Sequence, residues 1–176
     1  MYFVLTQCKL RRWHINDATA VCMHANNFNI AGNLRDGFPY PYTLSHAKDW
    51  ISRAVDNHTD WLLAITVNEE VVGSIGVIFN TDIFRKSADI GYWLSEEYWN
   101  RGIITECVET LARHVFDTTD IIRIQAGILG HNKASMRVLE KAGFHLEAVH
   151  KKAIIKNNVI EDEYLYVVLK TEEQVN

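Results

Sequence analysis

The sequence has no disulfide framework, no metal motif, no membrane span and no basic tract. Its cysteines are three, Cys8, Cys22 and Cys107, odd in number and widely spaced, which fits buried thiols in a reducing compartment. None of the histidines stands in His-x-x-x-His spacing, and there is no Cys-x-x-Cys pair, so no resident metal is expected. No Lys/Arg block exceeds a pair such as Arg11-Arg12 or Lys151-Lys152, and the net charge is −4. That balance argues against nucleic acid as a partner and suits a cationic acceptor, although a modest acidic surplus also serves solubility. No apolar run approaches the ~20 residues of a membrane helix, so no membrane association is expected. Met1 to Arg12 lack the basic start, apolar stretch and small-residue cleavage site of a secretory leader. A soluble, cytoplasmic protein is the expectation.

Proline is scarce as well. Both copies, Pro39 and Pro41, fall in Gly37-Phe38-Pro39-Tyr40-Pro41-Tyr42, which must be an extended loop because a residue before proline is pushed out of the helical region. What remains is ordinary globular material: 176 residues, 48% hydrophobic and 23% charged, with no repeat and no Pro/Gly/Ser linker. One domain spanning 1–176 is expected.

Helical patterns flank the proline loop at Asp17–Asn26 and Leu44–Val55, with Asn16 and Thr43 at the cap positions. Trp61–Val67 and Val71–Phe79, joined by Asn68-Glu69-Glu70, read as an antiparallel hairpin, and Ala88–Leu94 extends the sheet. Ile104, Val108, Leu111, Ala112 and Val115 mark one face of a helix. A strand at Ile121–Ile128, a short helix at Asn132–Ala142, and strands at Leu146–Ile155 and Tyr164–Leu169 close the chain. The sum is a mixed α/β (α+β) domain, a mostly antiparallel sheet of about seven strands with about four helices.

Two stretches carry chemistry. The first is Tyr98-Trp99-Asn100-Arg101-Gly102-Ile103-Ile104-Thr105-Glu106-Cys107, between a strand and a helix. A helix start presents unpaired N–H groups and the positive dipole end; Gly102 lets an anion approach and Arg101 adds charge, so the stretch can cradle a pyrophosphate. Read alone, Gly102 is equally a plain turn residue. The second is Asn132-Lys133-Ala134-Ser135-Met136-Arg137-Val138-Leu139-Glu140-Lys141-Ala142-Gly143-Phe144, where Asn132 caps a helix and Gly143-Phe144 suit a Schellman ending.

On these motifs the chain resembles the GNAT superfamily of N-acetyltransferases. The second stretch matches that family's Asn-x-x-Ser-x-x-Val-Leu-Glu-Lys-x-Gly-Phe at every fixed position. The first departs from the general Gln/Arg-x-x-Gly-x-Gly/Ala loop at Trp99 and Ile104. With Gly91-Tyr92-Trp93-Leu94, Tyr98-Trp99, Arg101-Gly102 and Thr105-Glu106 it is similar to the ribosomal-protein N-terminal acetyltransferase branch instead. Weaker likenesses at Leu10–Trp13, Pro39–Leu44 and Tyr164–Leu169 extend the resemblance over nearly the whole chain.

The resemblance implies acetyl-CoA as co-substrate, held by Asn100, Arg101, Gly102, Ile103, Ile104, Thr105, Asn132 and Ser135. Backbone N–H groups around Trp93 and Leu94 would meet the oxyanion. Ser135 would protonate the departing thiolate, against the plain alternative of a back-bonding helix serine. Asp89 stands where many members carry a glutamate base, and is otherwise a strand-edge carboxylate. The reaction implied is direct attack of a neutral primary amine in a ternary complex. The acceptor is a protein N-terminus or a small amine, and a homodimer is an open state. The competing reading is a silent GNAT-fold acyl-CoA-binding or sensor module. Tyr40 and Tyr42 are candidates for the acceptor channel, or else staples between helices and sheet.

Overall fold

Runs rich in β-branched and aromatic residues fold as strands, and stretches with 3.6-residue apolar spacing fold as helices, in the computed structural model, which describes residues 1–171. In chain order the elements are β1 Tyr2–Val4, β2 Lys9–Arg12, α1 Ala18–Ala25, α2 Phe28–Ala31, α3 Leu44–Asp56, β3 Trp61–Val67, β4 Glu70–Phe79, β5 Ser87–Leu94, α4 Ile103–Thr118, β6 Arg123–Leu129, α5 Lys133–Lys141, β7 His145–Lys156 and β8 Val159–Leu169. The strands are ordered β1-β2-β3-β4-β5-β6-β8-β7 in one sheet. The pairs β1–β2, β2–β3, β6–β8 and β7–β8 are antiparallel; β5–β6 is parallel, the pairing that a helical crossover such as α4 permits. The mixed α/β architecture is as expected, with eight strands for about seven and five helices for about four among the described residues.

The chain divides into two compact units, one of residues 1–76 with 92–103, the other of 77–91 with 104 onward. In the first, Trp13, Val21, Tyr42, Ile51, Ala64 and Val71 form a buried core with Phe38, Trp50 and Trp93 packed against it. Helix α3 is capped by Thr43 as expected. Its side chain accepts from the His46 N–H at 3.3 Å, and His46 returns the bond to the Thr43 N–H at 3.2 Å. Asn16 is not the cap of the preceding helix. Asp17 stands at that position without a side-chain cap bond, because its carboxylate reaches back to the His14 N–H at 2.8 Å and closes a 3-10 turn ahead of α1 that His14 caps, accepting from the Asn16 N–H at 3.3 Å. The β3–β4 turn is Asn68-Glu69 alone, both at positive φ, which is the backbone of a two-residue hairpin loop and brings Glu70 into β4.

In the second unit the expected face of α4 is inside: Val108, Leu111 and Val115 are fully buried, with Ile104 and Ala112 nearly so. Strand β6 alternates, burying Ile124, Ala126 and Ile128. Helix α5 ends as a Schellman motif, with the Phe144 N–H on Leu139 O at 2.9 Å and the Gly143 N–H on Glu140 O at 3.2 Å. Strand β8 begins at Val159, earlier than expected, because the acidic run Glu161-Asp162-Glu163 pairs with β7: Lys151 donates to Asp162 and His150 meets Glu163, each at 2.9 Å.

Candidate active site

Strand β5 runs into the loop that opens α4. Within the first unit, the Ser95 N–H donates to Val72 O at 2.8 Å, so the chain leaves the sheet in a fixed direction. The Trp99 indole N–H donates back to Leu94 O at 2.8 Å. Asn100 and Gly102 take φ of +60° and +79°, values that asparagine tolerates and glycine adopts at no steric cost. A Cβ added at Gly102 would meet nothing within 4 Å, so the loop is open to solvent at its glycine. Arg101 is exposed. Its guanidinium donates to Glu97 O at 2.8 Å and lies 5.0 Å from the centroid of the Tyr98 ring, while Gln7 donates to its carbonyl at 2.8 Å. Ile103 and Ile104 are buried and Thr105 is half-buried, so the bulk of Ile104 sits inside.

The proline loop reaches the same strand. Phe38 lies edge-on to Trp93 at 5.8 Å and is tilted on Tyr42 at 4.9 Å. Tyr42 is in the core, its N–H donating to Asn26 Oδ1 at 2.9 Å, and burial pushes its phenol up to about 12. Tyr40 is 53% exposed and meets Phe28 edge-on at 5.5 Å. The two tyrosines proposed for one role therefore occupy different environments.

In the second unit Asp89 is half-buried on an interior strand, opposite Gln125 of β6. Its Oδ2 accepts from Asn80 Nδ2 at 2.9 Å and its Oδ1 from Gln125 Nε2 at 3.1 Å, which fixes the carboxylate plane. Neither partner is visible in the sequence, since an amide on or just past a neighbouring strand carries no motif. Arg123 donates to Gln125 at 3.1 Å and to Glu147 at 2.9 Å, and the Glu147 bond holds the guanidinium above its ordinary value. A further carboxylate also escapes the motifs. A Cβ at Gly127 would collide with the Glu163 side chain, whose Cδ lies 3.0 Å away, and Glu163 in turn meets His150. The lone glycine within a β-rich run is the available signal, since such a glycine marks a close approach.

Asn132 caps α5, its Oδ1 accepting from the Ser135 N–H at 3.1 Å; Ser135 is buried on the face it shares with Leu139. Lys133 lies 4.8 Å from the centroid of the Tyr164 ring, and Tyr166 donates to Glu140 at 2.9 Å. Burial first, then Glu140, pushes the Tyr166 phenol up to about 12. Among the described residues no group of three or more His, Cys, Asp or Glu could hold a metal, and no helix is long and apolar enough to cross a membrane.

A mixed sheet whose inner strand turns through a glycine-bearing loop into a long helix has the architecture of an acyl-CoA-dependent acyltransferase. The Acetyltransferase (GNAT) domain family matches residues 8–145. The chain is 37% identical over 103 residues to the Probable N-acetyltransferase YjcK of Bacillus subtilis, 57% of each chain. It is 31% identical over 106 residues to the ribosomal-protein-serine acetyltransferase of Escherichia coli, 60% of this chain and 58% of that one. These two matches span little more than half of each relative. In structure it superposes on the RimL alpha-N-protein acetyltransferase in complex with coenzyme A with a TM-score of 0.85, at 24% identity, over 96% of this chain and 98% of that one. The chain belongs to the GNAT acetyltransferase family, a class of N-acetyltransferases that take acetyl-CoA as co-substrate.

Proposed function

We propose that this protein transfers the acetyl group of acetyl-CoA to a primary amine, by direct attack of the neutral amine on the thioester within a ternary complex. The observation that carries the reading is the loop from Ser95 to Gly102. It leaves β5, takes positive φ at Asn100 and Gly102, and opens on unfilled space at the start of a sixteen-residue helix. N–H groups at such a start, with Arg101 beside them, suit the pyrophosphate of a coenzyme A. Asn100 to Thr105 would hold it there. Asn132 and Ser135 would attend the thioester sulfur, with the Ser135 hydroxyl returning a proton to the thiolate.

An alkyl amine is mostly protonated near neutrality, so a base must take its proton. Asp89 is assigned that role. Its carboxylate is aimed by two amide donors, and each oxygen keeps a lone pair for a bridging water. N–H groups near Trp93 and Leu94 would stabilise the tetrahedral oxyanion. Tyr40, exposed beside Phe28, would contact the acceptor, and Tyr42 would brace the loop from the core.

A relative named for acting on a ribosomal-protein serine makes a protein N-terminus the first acceptor to try. The test is coenzyme A thiol release, screened over N-terminal peptides and small amines including polyamines and aminoglycosides. Release dependent on one class, with a mass gain of one acetyl group on the amine, supports the reading. Acetyl-CoA binding without release over the whole panel would leave a silent binding module.

A further inference from the structure

Beside the Ser95 N–H bond to Val72 O, the loop proposed to hold pyrophosphate has a buried side-chain anchor at its root, and a residue outside every motif supplies it. His24, on the last turn of α1, is 9% exposed. Its Nδ1 lies 2.9 Å from Ser95 Oγ and its Nε2 lies 3.3 Å from Glu70 Oε1. A carboxylate can only accept, so Nε2 carries the proton given to Glu70. In the neutral ring Nδ1 is then the acceptor, and the Ser95 hydroxyl donates to it. Ser95 is 4% exposed and is the first residue after β5. The ring therefore ties the root of the loop to the start of β4.

Apart from the Ser95 N–H on Val72 O and the Trp99 indole on Leu94 O, the other holds on the loop are exposed. Asn27 and Asn29 donate to Glu96, at 2.6 Å and 3.1 Å, and Gln7 donates to Arg101 O. Bonds in water's reach exchange with solvent, whereas a buried hydroxyl left without its partner incurs the full desolvation penalty. Packing does not substitute at this place. His24, Ser95, Glu70, Glu96 and Tyr98 line a cavity of about 390 Å³, so if the bond is lost the loop root has space to move into.

We propose that His24 is the positioning residue of the 95–102 loop, acting through Ser95 to hold the loop in the conformation that receives acetyl-CoA. The proposal rests on the reading of that loop as the phosphate site. Asparagine and glutamine separate the two arms of the imidazole. In His24→Asn the shorter side-chain amide falls at the Nδ1 position and can keep Ser95. In His24→Gln the longer one reaches the Nε2 position and keeps Glu70 only.

The test is acetyl-CoA titration by calorimetry on the full chain, together with steady-state kinetics. His24→Gln should raise the acetyl-CoA Kd about fivefold, the effect of one buried hydrogen bond of about 1 kcal/mol. Ser95→Ala should match it, and the double variant should be no worse than either single one. His24→Asn should stay within about twofold of wild type. kcat at saturation and the acceptor KM should not move. An unchanged Kd in both His24→Gln and Ser95→Ala overturns the proposal. So does a His24→Asn protein that binds as weakly as His24→Gln, or a fall in melting temperature with no change in Kd. Ser95→Ala keeps the test open if a His24 variant does not fold. Gly102→Glu reports separately on the loop: if it binds acetyl-CoA like wild type, the phosphate reading falls, and the positioning role falls with it. If Gly102→Glu abolishes binding while His24→Gln does not weaken it, only the His24 role is lost.

Discussion

Tyr40 and Tyr42 are two positions apart, and the structure separates their predicted phenotypes. Tyr42 is 6% exposed, touches Phe38 and His46 with its ring, and holds its backbone to Asn26 and Cys22. Truncating such a ring to alanine costs about 3–5 kcal/mol. At about 2–4 °C per kcal/mol for a chain of this size, Tyr42→Ala should lose about 6–20 °C of melting temperature. Tyr40 has one edge contact, with Phe28, on a half-exposed ring. That pair is worth about 1 kcal/mol, so Tyr40→Ala should lose no more than about 4 °C. If the exposed ring contacts the acceptor, the same variant should raise the acceptor KM about tenfold, the loss of a contact of about 1.4 kcal/mol, with acetyl-CoA affinity unchanged. Scanning calorimetry and kinetics at saturating acetyl-CoA read both effects. An acceptor KM that stays at the wild-type value removes Tyr40 from the acceptor contact. A Tyr42→Ala protein that melts within about 3 °C of wild type, about 1 kcal/mol, refutes the energetic argument from burial.

Ser135→Ala should lower kcat by about 10²–10⁴ while leaving acetyl-CoA affinity nearly intact, because the cap bond uses the Ser135 backbone N–H and survives the change. An undiminished kcat returns Ser135 to a plain helix residue. Asp89→Asn should lower kcat by about 10² or more, with little effect on melting. If Glu163→Gln carries that loss instead, the base is the carboxylate over Gly127. Stability should fall at alkaline pH, since burial raises the Tyr42 phenol from 10.0 to about 12. The unfolded chain gives up that proton first, so the contribution is whole below about pH 10 and disappears by about pH 12. It amounts to about 2–3 kcal/mol. Tyr42→Phe should therefore flatten the drop in melting temperature between those two values, and an unchanged slope there would falsify the assignment.

The sequence is most informative where one local rule governs. Thr43 caps α3, and Gly143-Phe144 close α5 with both Schellman bonds, because each feature involves neighbours within five residues. The buried face of α4 follows from 3.6-residue spacing alone. Where two rules compete, type alone misleads. Asn16 is a good cap by type, but Asp17 bonds both Arg11 and the His14 N–H and so draws Asn16 into a 3-10 turn ahead of α1. The four-residue α2 is too short to have a period and depends on Asn27 accepting from the Asn29 N–H. In the candidate site, motifs lead to Asp89, Asn132 and Ser135. They do not lead to Asn80, Gln125, Glu163 or His24, because each acts across strands or between a helix and a loop far along the chain. Only the fold makes such pairs neighbours.

The sheet ends in two very different strands. β1 has only three residues, while β7 has twelve and borders the sheet with little side-chain cover. A long border strand is a template on which another chain can add by backbone pairing. β7 is ill-suited to that use. Its pairing with β8 shifts register between Leu146 and Ala148 and again between His150 and Ile154, and Lys152 stands at a φ of +53°. Consecutive lysines, Lys151 and Lys152, sit within the second irregularity, so an incoming strand would meet a bent backbone and positive charge midway. The hairpin can therefore stay long and apolar toward its turn, where Ile155, Val159 and Ile160 are exposed, without seeding fibrils. Straightening that kink, or replacing the lysines with threonine or valine, would trade this colloidal tolerance for stickiness.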